Sequence, residues 1–275
     1  MKLGALAHSL KKLSGQENIL ILRQKKNLTW VKPQLCISKH PRSFCMPMTD
    51  PRIIVAIDTF DLNRANAILD QLDPDLCKVK IGSVVFNALG KSFLKHVSSQ
   101  GFKIFLDLKL HDIPNTVHET ILGFHDCKID MLTVHLSGGE EMLNKAMLAG
   151  KSINAQVIGV SMLTSLKEED SISLFNNKLE DQISNLFKIA FKANIDGIVC
   201  SPHELEIANK ILGSHSIKIT PGIRDIKVED DQVRTMSAKE AINRGSSFLV
   251  IGRPITEAED ITLALQNFNE AIYEK

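Results

Sequence analysis

Several features are missing from this chain of 275 residues, and each absence narrows what it can be. No apolar run approaches the ~18 residues that a membrane-spanning helix needs, so no membrane partner is expected. The five cysteines, Cys36, Cys45, Cys77, Cys127 and Cys200, are odd in number and lack C-x-x-C spacing. That speaks against a disulfide framework and fits a reducing compartment. The formal net charge is only +1, which gives no reason to expect nucleic acid or a strongly acidic partner. No G-x-G-x-x-G loop occurs, and no His/Cys set stands at metal-ligand spacing. The expectation is a cytoplasmic protein.

What is present describes an ordinary globular chain, with 44% hydrophobic and 24% charged residues. The N-terminal stretch differs. Up to residue 48 it carries Lys2, Lys11, Lys12, Arg23, Lys25, Lys26, Lys32, Lys39 and Arg42 against one acid, Glu17. A basic, acid-poor composition fits an organelle transit peptide, although arginine is sparse for that. A dispensable basic tail, or a stretch upstream of a true start at Met46 or Met48, fits equally well. Residues 1–49 are therefore expected to form a poorly ordered extension without chemistry, and residues 50–275 a single domain.

From Arg52 onward, short apolar runs alternate with segments of helical period. The runs are Ile53–Ile57, Cys77–Ile81, Phe102–Leu108, Asp130–His135, Gln156–Met162, Gly197–Cys200, Ile217–Thr220 and Phe248–Ile251. Candidate helices include Asn63–Leu72, Val84–Val97, Glu140–Leu148, Asp181–Ala193 and Ala258–Ala271. Ser201-Pro202-His203-Glu204 and Ser237 with Glu240 read as helix starts. Continuous apolar strands alternating with helices indicate a parallel sheet covered on both faces. Eight such units predict an α/β fold closed into one (β/α)8 TIM barrel, a fold commonly about 250 residues long. A doubly wound open sheet is the alternative.

The stretch Phe105 to Thr116 is the richest in chemistry. Asp107 and Lys109 lie two apart near a strand end and so share a face, and Asp112 follows just before the Pro114 turn. Buried charges are costly without partners, so this cluster is either mutually paired or faces a polar site. In such barrels the chemistry sits at the C-terminal strand ends. Those ends bring Asp58, Lys80, Asp107, Lys109, Ser161, Thr164, Arg224, Gly252 and Arg253 to one rim. A metal on Asp58, Asp107 and Asp112 is disfavoured because the interleaved lysines already neutralise those carboxylates. Gly222, Gly252 and Arg253 follow strands seven and eight, where such barrels commonly bind phosphate. His111, His118 and His125 recur every seven residues, a spacing read as accidental, and His135 ends a strand.

The stretch Asp107-Leu108-Lys109-Leu110-His111-Asp112-Ile113-Pro114-Asn115-Thr116 resembles the signature of bacterial-type orotidine 5′-phosphate decarboxylases. The likeness extends to Val55-Ala56-Ile57-Asp58, Val79-Lys80-Ile81-Gly82, Met162-Leu163-Thr164-Ser165, Thr220-Pro221-Gly222-Ile223-Arg224, Asp231-Gln232 and Ile251-Gly252-Arg253-Pro254. It spans residues 50–275. The extension has no counterpart, and the segment from Arg224 to Gln232 is slightly short.

The resemblance implies cofactor-free decarboxylation of orotidine 5′-phosphate to uridine 5′-phosphate, without a metal. It implies that Lys109 protonates C6, that Asp107 lies near the substrate carboxylate, and that Lys80 and Asp112 complete a charged array. Asp58 and Lys80 would bind ribose hydroxyls, and Thr164 would lie near the base. Arg224, Gln232, Gly252 and Arg253 would hold the phosphate, with Gln232 on a closing loop. Asp112 and Thr116 would come from the neighbouring subunit of a homodimer with shared active sites. Two other readings stand beside it. One is a related metal-dependent sugar-phosphate decarboxylase or synthase, which tends to carry Glu where this chain has Lys80; the other is a non-catalytic nucleotide-binding barrel.

Overall fold

The computed structural model of the chain describes residues 50–224 and 236–273. Expectations about residues 1–49 and about Gln232 lie outside the described residues. Eight parallel strands form a closed barrel in sequence order: β1 (Ile53–Ile57), β2 (Cys77–Gly82), β3 (Ile104–Leu110), β4 (Ile129–His135), β5 (Gln156–Val160), β6 (Gly197–Val199), β7 (Ile217–Thr220) and β8 (Phe248–Ile251). β1 pairs with both β2 and β8, which closes the ring. The predicted TIM barrel is therefore present. No helix among the described residues is long and apolar enough to cross a membrane.

The helices are α1 (Leu62–Leu69), α2 (Ser83–Ser99), α3 (Pro114–Leu122), α4 (Gly139–Ser152), α5 (Glu168–Phe175), α6 (Leu179–Lys192), α7 (Leu205–Leu212), α8 (Ala238–Asn243), α9 (Arg253–Thr256) and α10 (Ile261–Tyr273). Local chemistry explains their starts. The Asp61 carboxylate accepts from the backbone N–H groups of Asn63 and Arg64, capping α1. Pro114 opens α3, where its missing N–H costs nothing. The Ser237 hydroxyl accepts from Glu240 N–H at 3.3 Å at the start of α8. The Glu204 carboxylate accepts from Ser201 N–H at 3.1 Å, but Pro202–Glu204 forms a 3-10 turn, and α7 begins only at Leu205. In α6, buried Ile183, Leu186, Phe187 and Ala190 fall on one helical stripe. Burial of each large member stabilises by roughly 2 kcal/mol.

Alternation along the strands divides the core in two. Outward residues such as Ile53, Val55, Val79, Leu106 and Ile251 join helix residues in the larger cluster. Ile54, Phe105, Met131, Ile158 and Ile219 form a second cluster, and residues from these five strands can meet only inside the ring. Near the N-terminal strand ends this interior holds Lys78, whose ammonium pairs with Asp130 at 2.6 Å and Asp50 at 2.9 Å and sits over the Phe248 ring.

The strand limits differ from expectation at two informative places. β5 leaves the ladder after Val160, so Ser161 and Met162 belong to the following loop. β3 begins at Ile104, not at Phe102, and extends to Leu110. Its register with β4 breaks: Leu106 pairs with Leu132 and Leu110 with Val134. Asp107, Leu108 and Lys109 thus stand opposite Thr133 alone, a bulge that puts Lys109 at φ 51.

Candidate active site

A cavity of about 550 Å3 opens at the C-terminal end of the barrel. Phe105, Val160, Val199 and Val250 line its apolar part, and the strand-end polar residues form the rest. Asp58, Lys80, Asp107, Lys109, Thr164, Arg224, Gly252 and Arg253 all line it, as the strand-end reading expected. Among the described residues, Glu257, which the sequence did not single out, is the remaining charged residue on the wall. Among the described lining residues, four cations thus stand with three carboxylates, a balance suited to an anionic ligand.

Asp107 is the hub of one side. Lys109 Nζ lies 2.9 Å from each of its carboxylate oxygens, and Lys80 Nζ is 3.6 Å from Oδ2. The buried Thr133 hydroxyl donates to Asp107 Oδ1 at 3.1 Å. Burial alone would push the Asp107 carboxyl up. Lys80 and Lys109, with hydrogen bonds from Lys109 and Thr133, outweigh that effect and hold it below the usual carboxylate range. Of the three charged side chains Lys109 is the most open, at 36% exposure against 12% for Asp107 and 16% for Lys80. Of the two lysines it is the more open to a ligand.

Gly82 ends β2 on the same face as Lys80, and a Cβ there would approach Lys80 Nζ to 3.2 Å. The other side of the cavity comes from β7 and β8, which lie across the ring from β3. Gly222 adopts φ 78, a left-handed conformation that glycine takes without penalty. At Gly252 a Cβ would meet only Ala56, at 3.7 Å, so packing alone does not exclude a side chain there.

The family model described as Orotidine 5′-phosphate decarboxylase / HUMPS family matches residues 51–268. The chain belongs to this family. It is 40% identical over 228 residues to the orotidine 5′-phosphate decarboxylase of Actinobacillus succinogenes, covering 81% of this chain and 98% of that protein. It is 41% identical over 215 residues to the enzyme of the same name from Legionella pneumophila, covering 76% and 94% respectively. Among solved structures, the orotidine 5′-phosphate decarboxylase of Lactobacillus acidophilus superposes with a TM-score of 0.74 at 33% identity. That match covers 82% of this chain and all of the other.

Three residues expected at the site do not line the cavity of their own chain: Ser161, which is buried, Asp112 and Thr116. Asp112 is exposed, with its carboxylate accepting from Ile113 N–H at 2.7 Å, and Thr116 is exposed on the first turn of α3. Ile113 between them is 67% exposed. The seven-residue histidine spacing has no common role. His118 contacts Glu119, His125 contacts the Leu122 carbonyl, and His111 packs 5.3 Å from His135. Burial, then His111 and Lys109, push His135 below the usual imidazole range.

Thr133 does not stand out in the sequence as a site residue. Its one available signal was a hydroxyl two residues before His135 in the apolar strand β4, the spacing that aims both side chains inward.

Proposed function

We infer that the chain converts orotidine 5′-phosphate into uridine 5′-phosphate and carbon dioxide, the last step of de novo pyrimidine nucleotide synthesis, without metal or organic cofactor. The observation that carries this reading is the ionised Asp107 held between two lysine ammoniums inside a cavity flanked by Arg224 and Arg253. Family membership and relatives of that name at about 40% identity support the substrate.

In the reaction the C6–carboxylate bond breaks and its electron pair stays on C6, where the ring cannot delocalise it. A fixed cation beside C6 stabilises that charge far more in a water-poor pocket than in solution. Lys109 then gives a proton from Nζ to C6. Asp107 lies near the substrate carboxylate, and their repulsion is relieved as carbon dioxide leaves. Asp58 and Lys80 bind the ribose hydroxyls, and Thr164 lies near the base. Arg224, Gln232, Gly252 and Arg253 hold the phosphate, whose binding energy aligns the distant reacting centre. Asp112 and Thr116 serve the neighbouring subunit of a homodimer. Their exposure beside the apolar Ile113, outside their own cavity, supports that assignment.

The test follows the ultraviolet absorbance of orotidine 5′-phosphate with purified protein and excess chelator. Turnover is expected. Its absence, or rescue only by a divalent ion, would overturn the cofactor-free reading and favour the metal-dependent synthases.

A further inference from the structure

We propose that Thr133 is a positioning residue whose one hydroxyl sets both the carboxylate of Asp107 and the backbone of Lys109; the reaction it serves rests on the function inferred above. The bulge creates the need. Where Asp107, Leu108 and Lys109 stand opposite Thr133 alone, the strand ladder has no partner for the Lys109 N–H. Thr133 Oγ1 accepts that N–H at 2.8 Å. Lys109 also sits at φ 51, a conformation that side chains other than glycine rarely hold without outside support.

The direction of both bonds is forced. The Lys109 amide is a donor only, so the hydroxyl must accept from it, and the hydroxyl's single proton is left for Asp107 Oδ1 at 3.1 Å. Thr133 is fully buried, so no bulk water competes for either bond. One oxygen therefore fixes where the carboxylate points and how Lys109 is held in the bulge. These two groups carry the charges in the proposed chemistry, yet Thr133 does not line the cavity itself.

Thr133→Val keeps the shape and removes the hydroxyl, whereas Thr133→Ser keeps the hydroxyl. With orotidine 5′-phosphate, the valine variant should lose about 10- to 100-fold in kcat, the range that a misplacement near 1 Å produces. KM should change by less than about threefold, because the phosphate-side residues are untouched. The serine variant should stay within about threefold of the unmodified chain in both constants.

Hydrogen exchange at the Lys109 amide gives a readout that needs no substrate. It should quicken by about tenfold or more in the valine variant and stay slow with serine. If the valine variant does not fold, Thr133→Ala removes the same hydroxyl with less crowding and replaces it. A hydroxyl-free variant with unchanged kcat, or with Lys109 still protected, overturns the proposal. So does a serine variant as slow as valine, which would assign the effect to packing. If the unmodified chain does not turn over orotidine 5′-phosphate, the functional reading fails, and exchange at Lys109 still judges Thr133.

Discussion

Replacing Asp107 by Asn tests whether this carboxylate is the obligatory counter-ion of the site. The change keeps the shape and leaves Lys80 and Lys109 facing each other without an anion. At an effective dielectric near 20, unit charges at 2.9 and 3.6 Å attract by about 6 and about 5 kcal/mol. These are gross values. Asp107 has lost most of its hydration, and Lys109, 36% exposed, is partly screened by water. Removing one partner of a buried pair typically costs about 3–5 kcal/mol, and the screening puts Asp107→Asn near the lower figure. For a domain of this size that is a fall in Tm of about 6–12 °C near neutral pH, measurable by circular dichroism.

The pH dependence gives an internal control. The folded Asp107 carboxyl lies below its unfolded value, so its contribution is fully present above the ordinary carboxylate pKa. It is lost as pH falls through the folded value. The gap between the two proteins should therefore be widest at neutral pH and close as the solution becomes acid. An asparagine variant as stable as the parent at pH 7, or a gap unchanged on acidification, would refute the counter-ion argument.

Other substitutions separate the remaining claims. Lys109→Ala should abolish decarboxylation with an unchanged circular dichroism spectrum, and Asp112→Ala should do nearly the same. Mixed together, the two should recover about a quarter of full activity, because half of the random dimers would then contain one intact shared site; no recovery would refute the intersubunit assignment. Gly82→Ala should crowd Lys80 Nζ by a few tenths of an ångström, lowering kcat/KM with little change in Tm. Lys78→Met should cost less than about 2 kcal/mol by denaturant titration and leave kcat intact. The side chain is buried at the far end of the barrel, but its partners Asp50 and Asp130 reach water.

Much of this was legible from local pattern. Each apolar run became a barrel strand because packing between the barrel interior and the helices demands a continuous apolar segment. The pairing of Asp107 with Lys109 follows from two-residue spacing, and the rim follows from strand order. What pattern could not show is non-local. Lys80 approaches Asp107 only because β2 and β3 lie side by side, with Gly82 opposite Asp107. Phe102 is apolar and buried yet precedes its strand, since apolar character reports burial and not pairing. α5 is a short helix whose Ile172, Leu174 and Phe175 are exposed, so it shows no clean buried stripe. The left-handed Lys109 and the role of Thr133 both arise from a register break between two strands, which neither strand encodes alone.

That register break also bears on chain length. Between the pairs Leu106–Leu132 and Leu110–Val134, β3 takes four steps where β4 takes two. A uniform ladder would close here with two residues fewer, and the shortened chain would still supply a complete ring of strands. Lys109, the proposed proton donor, therefore occupies surplus length, chain that the sheet does not require. A deletion that heals the ladder should give a sturdier protein with nothing to offer a substrate. At this spot the sequence that best satisfies folding and the sequence that the proposed chemistry needs are not the same, and they differ by two residues.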